Sequence, residues 1–92
     1  MIRSFRDRNT RRFFEGQRVA AYQGFASQAT RRLVLLDSAE TLGDIAALPS
    51  NRLEALRGDR AGQHSIRINA QWRICFRWTD EGPCDVEIVD YH

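Results

Sequence analysis

Residues 64–92, HSIRINAQWRICFRWTDEGPCDVEIVDYH, alternate apolar and polar side chains in three successive runs. A period of two belongs to a half-buried strand, because successive side chains leave opposite faces of the pleat. Ile66 and Ile68 share a face, with Ser65, Arg67 and Asn69 on the other. In WRICFRW, Trp72, Ile74, Phe76 and Trp78 oppose Arg73, Cys75 and Arg77, and in the last run Val86 and Ile88 oppose Asp85 and Glu87. TDEGP, residues 79–83, supplies turn chemistry between the second and third runs. Together they predict an antiparallel meander with one apolar face.

Working upstream, the period of two begins after Pro49 with RLEALR, which carries Leu53 and Leu56, and GDRAG (58–62) is a turn. Before Pro49 the spacing is helical. SQATRRLVLLDSAETL repeats Ala29, Leu33, Leu36 and then Ala39 or Glu40 at three and four, predicting one long helix capped by Ser27 and stopped by Gly43. Arg31 and Arg32 lie off its apolar stripe. DIAALPS reads as a helical turn closed by Pro49. At the start, MIRSF reads as a short edge strand anchored by Ile2 and Phe5, and a helix follows from Asp7, with Asn9 or Thr10 as N-cap and Gly16 as its stop. QRVAAYQGFA (17–26) has no clean period and reads as loop or frayed helix. Helices first and strands last predict a single α+β domain over residues 1–92, with the helices covering the apolar sheet face.

Composition narrows the function classes. A chain of 92 residues is one domain. No segment approaches the about 20 apolar residues of a membrane span, and MIRSFRDRNT lacks a secretory apolar run, so a cytoplasmic location without membrane attachment is expected. Cys75 and Cys84 are then expected as reduced thiols. They lack CxxC spacing, and His64 and His92 are isolated, so neither a metal set nor a cofactor site is expected. All 14 cations are arginine, against 12 acids. Arginine's planar fork matches phosphate bidentately, although a GC-rich coding sequence also yields arginine in place of lysine. The first 32 residues hold eight arginines and only two acids, Asp7 and Glu15, which is the footprint expected of a nucleic-acid binder.

The end of the chain adds acid–base chemistry. Val86, Ile88, Asp90 and His92 form one stripe that turns from oily to ionisable. A carboxylate two residues from a histidine on one face can accept its ring proton, fix the tautomer and raise the imidazole above about 6.5, as can the main-chain carboxylate of His92. Imidazolium is a general acid. Equally, Asp90, Tyr91 and His92 read as a polar end without a role. In the last hairpin, Arg77 is expected beside Asp85 and Arg73 diagonal to Glu87, so ion pairing accounts for both cheaply. Arg57 has only Glu54 and Asp59 nearby and is freer to take a phosphate.

NRLEALRGDRAGQHSIRINAQWRICFRW, followed by VEIVDYH, resembles the HigB branch of the RelE-like toxins, the plasmid-maintenance killer proteins of bacterial toxin–antitoxin pairs. The resemblance runs from MIRSF to DYH and rests on L-x-x-L-R-G-D-R-x-G, W-R-I-x-F and the terminal D-Y-H in combination. It implies a RelE-like fold, in which an N-terminal strand and two helices pack on a curved antiparallel sheet. It also implies ribosome-dependent, metal-independent cleavage of messenger RNA by a ribose 2′-hydroxyl. The partners implied are mRNA on the ribosome and a cognate HigA-like helix-turn-helix antitoxin, with operator DNA reached only through that antitoxin.

Residues matching the functional set by position are Arg57, Arg73, Asp90, Tyr91 and His92. Some members carry a histidine where this chain has Glu54, and a weak toxin is therefore expected. Glu54 serves as base only if burial raises its pKa; otherwise it pairs with Arg57. On this reading His92 is the general acid, Arg57 and Arg73 clamp the phosphorane, and Tyr91 stacks on a base or positions the phosphate. The alternative is a non-catalytic module that sits on RNA or the ribosome through its basic N-terminal third. A DNA-binding regulator is disfavoured, because no helix pair with recognition-motif spacing is legible.

Overall fold

The computed structural model describes residues 1–90. Its elements follow the order α1 (Arg8–Phe14), a 3-10 helix (Ala20–Phe25), α2 (Ala26–Ser38), α3 (Leu42–Ala46), a 3-10 turn (Pro49–Asn51), β1 (Glu54–Ala55), a second 3-10 turn (Gly58–Arg60), β2 (His64–Arg67), β3 (Trp72–Thr79) and β4 (Gly82–Asp90). The four strands form one antiparallel sheet in the order β1-β2-β3-β4. This is the expected α+β meander.

One sheet face is the core. Ile66, Ile74, Phe76, Val86 and Ile88 meet Leu33, Leu36 and Ala29 from α2 and Ile45 from α3. The side chains at three- and four-residue spacing on α2 are buried as the pattern requires. The long helix nevertheless breaks. Ala39 leaves helical geometry at ψ 135, and Thr41 starts α3 with a reciprocal capping box to Asp44. Gly43 therefore lies inside α3 instead of ending α2. The two backbone amides given to the Asp44 carboxylate, from Glu40 and Thr41, hold its pKa below the usual carboxylate range.

At the N-terminus the order of caps also differs. Asp7 is the N-cap of α1 and accepts from the Thr10 amide at 3.2 Å. Thr10 is instead fully buried, and its hydroxyl accepts from the Ile88 amide on β4 at 3.0 Å. MIRSF makes a single parallel bridge, Phe5 to Val86, and not a full strand. Its backbone still bonds β4 at Pro83 and Val86, so the outer edge of the sheet is occupied as anticipated. Gly82, at φ +124, is required here, because a Cβ would stand 2.5 Å from the Met1 carbonyl oxygen. Farther along β4, Asp85 adopts φ 52 where the β3–β4 register shifts, a left-handed position that Asp tolerates better than most residues.

Residues 20–25 are ordered by aromatic packing with no heptad-like repeat to announce it. Tyr22 and Phe25 are buried, Phe25 lies 4.9 Å from Trp72, and Tyr22 meets both Phe13 and Trp72 edge-on. Burial pushes the Tyr22 hydroxyl up in pKa, opposed by its hydrogen bond with Thr10. This cluster props the end of the sheet where Trp72 pairs with Asp90.

Candidate active site

The second sheet face was expected to meet water, and in its centre it does not. Register aligns Glu54, Ser65, Cys75 and Glu87 in one row across all four strands. Ser65 and Cys75 are fully buried. Arginines roof them. Arg60 reaches from its 3-10 turn to Glu87 Oε1 at 2.6 Å and to Gln63 Oε1 at 3.1 Å, while Arg6 stands 3.9 Å from the same carboxylate. Burial pushes the Cys75 thiol up in pKa, with Arg60 opposing. Cys75 is thus an inert core thiol on the face where polar character was read.

Arg73 is held on this face by two different acceptors. Its Nε donates to the Ser65 hydroxyl at 2.8 Å, and its Nη2 to the Arg52 carbonyl at 2.7 Å. The second acceptor exists because Arg52 turns the chain in the left-handed region at φ 46. Arg73 is diagonal to Glu87 as expected, yet Glu87 is engaged by Arg60 and Arg6. Arg77 does pair with Asp85, at 3.6 Å between half-exposed groups, a contact worth at most about 1 kcal/mol.

Glu54 lies in the same row but is exposed, and neither it nor Arg57 makes a side-chain hydrogen bond or ion pair among the described residues. The Glu54–Arg57 pairing considered from sequence is therefore absent, as is the burial that the alternative required. Arg57 is exposed at the start of the Gly58–Arg60 turn, where Asp59 does not engage it either. Asp90 projects to the opposite face from Arg73, because Arg73 is paired with Val89 and Trp72 with Asp90. Its carboxylate accepts from Gln71 Nε2 at 3.1 Å. Glu54 and Arg73 thus share a face, with Asp90 at the rim of the other; Tyr91 and His92 lie outside the described residues.

His64 stacks on Phe76, with ring centroids 6.1 Å apart, and its Nδ1 is buried without a hydrogen-bond partner among the described residues. The residues on this face to which the sequence reading gave no functional part are Arg60 and Arg67. Arg67 stands directly opposite Arg73, equally far from the β2–β3 turn. That signal was present in the sequence, since pairing about the turn at Ala70 aligns the two positions.

The sheet therefore offers a face with fixed guanidinium groups and an exposed carboxylate, a set suited to gripping a phosphodiester. A family model described as "RelE-like toxin of type II toxin-antitoxin system HigB" matches residues 3–92. The chain is 30% identical to endoribonuclease HigB of Proteus vulgaris over 100% of both proteins. It is 44% identical over 50 residues to toxin HigB-1 of Vibrio cholerae serotype O1, covering 54% of this chain and 53% of that protein, so that alignment spans about half of its relative. The family match and the end-to-end alignment show that the chain belongs to the HigB-like toxins, RelE-like toxins of type II toxin–antitoxin systems.

Proposed function

We propose that this chain is an endoribonuclease toxin that cuts messenger RNA on the ribosome, without a metal, and is neutralised by a cognate HigA-like helix-turn-helix antitoxin through which it reaches operator DNA. The observation that carries the reading is Arg73, fixed by Ser65 and the Arg52 carbonyl on a sheet face that also displays Glu54. A guanidinium whose orientation is set before substrate arrives stabilises charge developing on a phosphorane without reorganising.

The chemistry is an in-line attack of a ribose 2′-oxygen on the adjacent phosphorus. The new O–P bond closes a 2′,3′-cyclic phosphate, the bond to the 5′-oxygen breaks, and that oxygen leaves with a proton. Arg73 and Arg57 neutralise the non-bridging oxygens. His92 supplies the leaving-group proton, Asp90 sustains its imidazolium form, and Tyr91 positions the nucleotide. Glu54 is exposed and lacks the burial that would strengthen it as a base, so the 2′ proton passes to water without an effective general base, and the toxin is weak. A single acid–base group contributes roughly 10² to 10⁴ in rate.

The competing reading is a module that binds RNA or the ribosome and never cuts. It draws on α1, where Arg8, Arg11 and Arg12 are exposed and no acid occupies the first turn. Inducible expression of wild type and His92→Gln separates the two. Loss of growth arrest in the variant, at equal protein level, supports cleavage; undiminished arrest supports binding alone.

A further inference from the structure

No side chain lining the cleft between α2, the Pro49–Asn51 turn and the β2–β3 turn takes part in the chemistry proposed above. It encloses ≈ 400 Å³ and is lined by Arg32, Arg52 and Arg67 together with Ser50 and Asn69. No carboxylate lines it among the described residues. We propose that this cleft is a phosphate subsite that holds the single-stranded RNA one nucleotide beyond the linkage gripped by Arg73. The proposal rests on the RNA-cutting reading above and extends it to how the strand is held.

Two guanidinium groups in the cleft are oriented in advance. Arg32 Nε donates to the Arg67 carbonyl at 3.0 Å, and Arg67 Nε donates to the Asn69 carbonyl at 3.1 Å. Each bond fixes a guanidinium plane through one nitrogen and leaves both terminal amino groups without a protein partner among the described residues. That is the edge with which arginine binds a phosphate bidentately. The side chain of Arg52 is exposed and likewise unengaged among those residues.

Placement argues in the same direction. Arg67 is directly opposite Arg73 in the ladder. Like charges in that relation destabilise a sheet, and a bound anion between them removes the penalty. Neighbouring strands stand about 4.8 Å apart, so a strand of RNA gripped at Arg73 carries its next phosphate past Arg67. The Arg52 carbonyl that receives Arg73 ties the two positions together. A cleft near the lower end of the about 300–1,000 Å³ span of ligand sites has room for a nucleotide-sized group and none for a duplex, which selects a single strand.

The test is fluorescence anisotropy of the full chain with a 5′-labelled, 2′-O-methylated ten-nucleotide RNA, which cannot be cut. Wild type, Arg67→Gln and Arg52→Gln are compared with Arg77→Gln, an equal loss of charge at an exposed position outside the cleft. The expected result is an affinity about tenfold lower for each cleft variant, a salt dependence shallower by about 0.7 in log–log slope, and a change under about twofold for Arg77→Gln. Millimolar inorganic phosphate leaves the wild-type complex intact. Equal losses in all three variants, no loss in the cleft variants, displacement by phosphate, or no binding by wild type overturns the subsite. Arg52→Gln touches no side-chain contact among the described residues and so keeps the comparison valid if Arg67→Gln misfolds. The probe reports binding alone, so a failure of RNA cleavage appears separately, as growth without arrest in wild type.

Discussion

Arg73 joins the chemistry to the core, because the acceptor that orients it is a buried hydroxyl. Ser65 is fully buried, and stripping away its arginine leaves a polar group in the interior with that bond unmade. Such a group costs about 1–3 kcal/mol, whereas removing both partners is nearly neutral. Arg73→Ala is therefore expected to lower unfolding stability in urea by about 1–3 kcal/mol, and Arg73→Ala with Ser65→Ala to recover most of it. RNA cleavage is expected to be lost in both proteins. Recovery of cleavage in the double variant would mean that Arg73 is structural. Residue by residue, the period-two pattern assigned every side chain of β2 and β3 to a face correctly. It could not foretell that Ser65 and Cys75 are buried, since their cover comes from Arg60 and Arg73, and the reach of a long side chain leaves no periodic trace.

Among the elements, the edge of β4 depends on parts of the chain far from it in sequence. Arg3, Ser4 and Arg6 bond its backbone, and Thr10 from α1 accepts the Ile88 amide. Replacing Thr10 with valine keeps the volume and removes the acceptor, leaving a buried amide unpaired. Thr10→Val is expected to destabilise by about 1–3 kcal/mol and to speed hydrogen exchange at Ile88 above its neighbours. Unchanged exchange at Ile88 would show that this bond does not hold the helix to the sheet. Here the sequence misleads for a definable reason: Asp7, Asn9 and Thr10 are all good cap residues, Asp7 takes the role by accepting from the Thr10 amide, and tertiary contact with β4 buries Thr10. The long-helix reading fails similarly, because the apolar spacing continues through Ala39 while the capping box at Thr41 restarts the backbone.

Taken whole, the molecule is a meander whose apolar face is closed by helices and whose other face and rim carry arginine. No helix is long and apolar enough to cross a membrane. The meander and the core stripe were readable from alternation, which depends only on neighbours in the chain, and the Arg77–Asp85 pair from the turn that joins the last two runs. The 3-10 helix at Ala20–Phe25 and the arginine cleft were not, since they arise from contacts between distant segments. The candidate site was legible in part: the stripe Val86, Ile88 and Asp90 keeps one face out to the rim as read, while the shared face of Glu54 and Arg73 follows from strand registers that alternation within one run does not give. What remains to be tested is the chemistry. Wild type and His92→Gln added to ribosomes translating a defined message, with both new ends mapped and their chemistry read, provide the most direct measurement. The account predicts cuts bearing 2′,3′-cyclic phosphate and 5′-hydroxyl ends with wild type and none with the variant. Message left whole by wild type, or cut equally by His92→Gln, would contradict it.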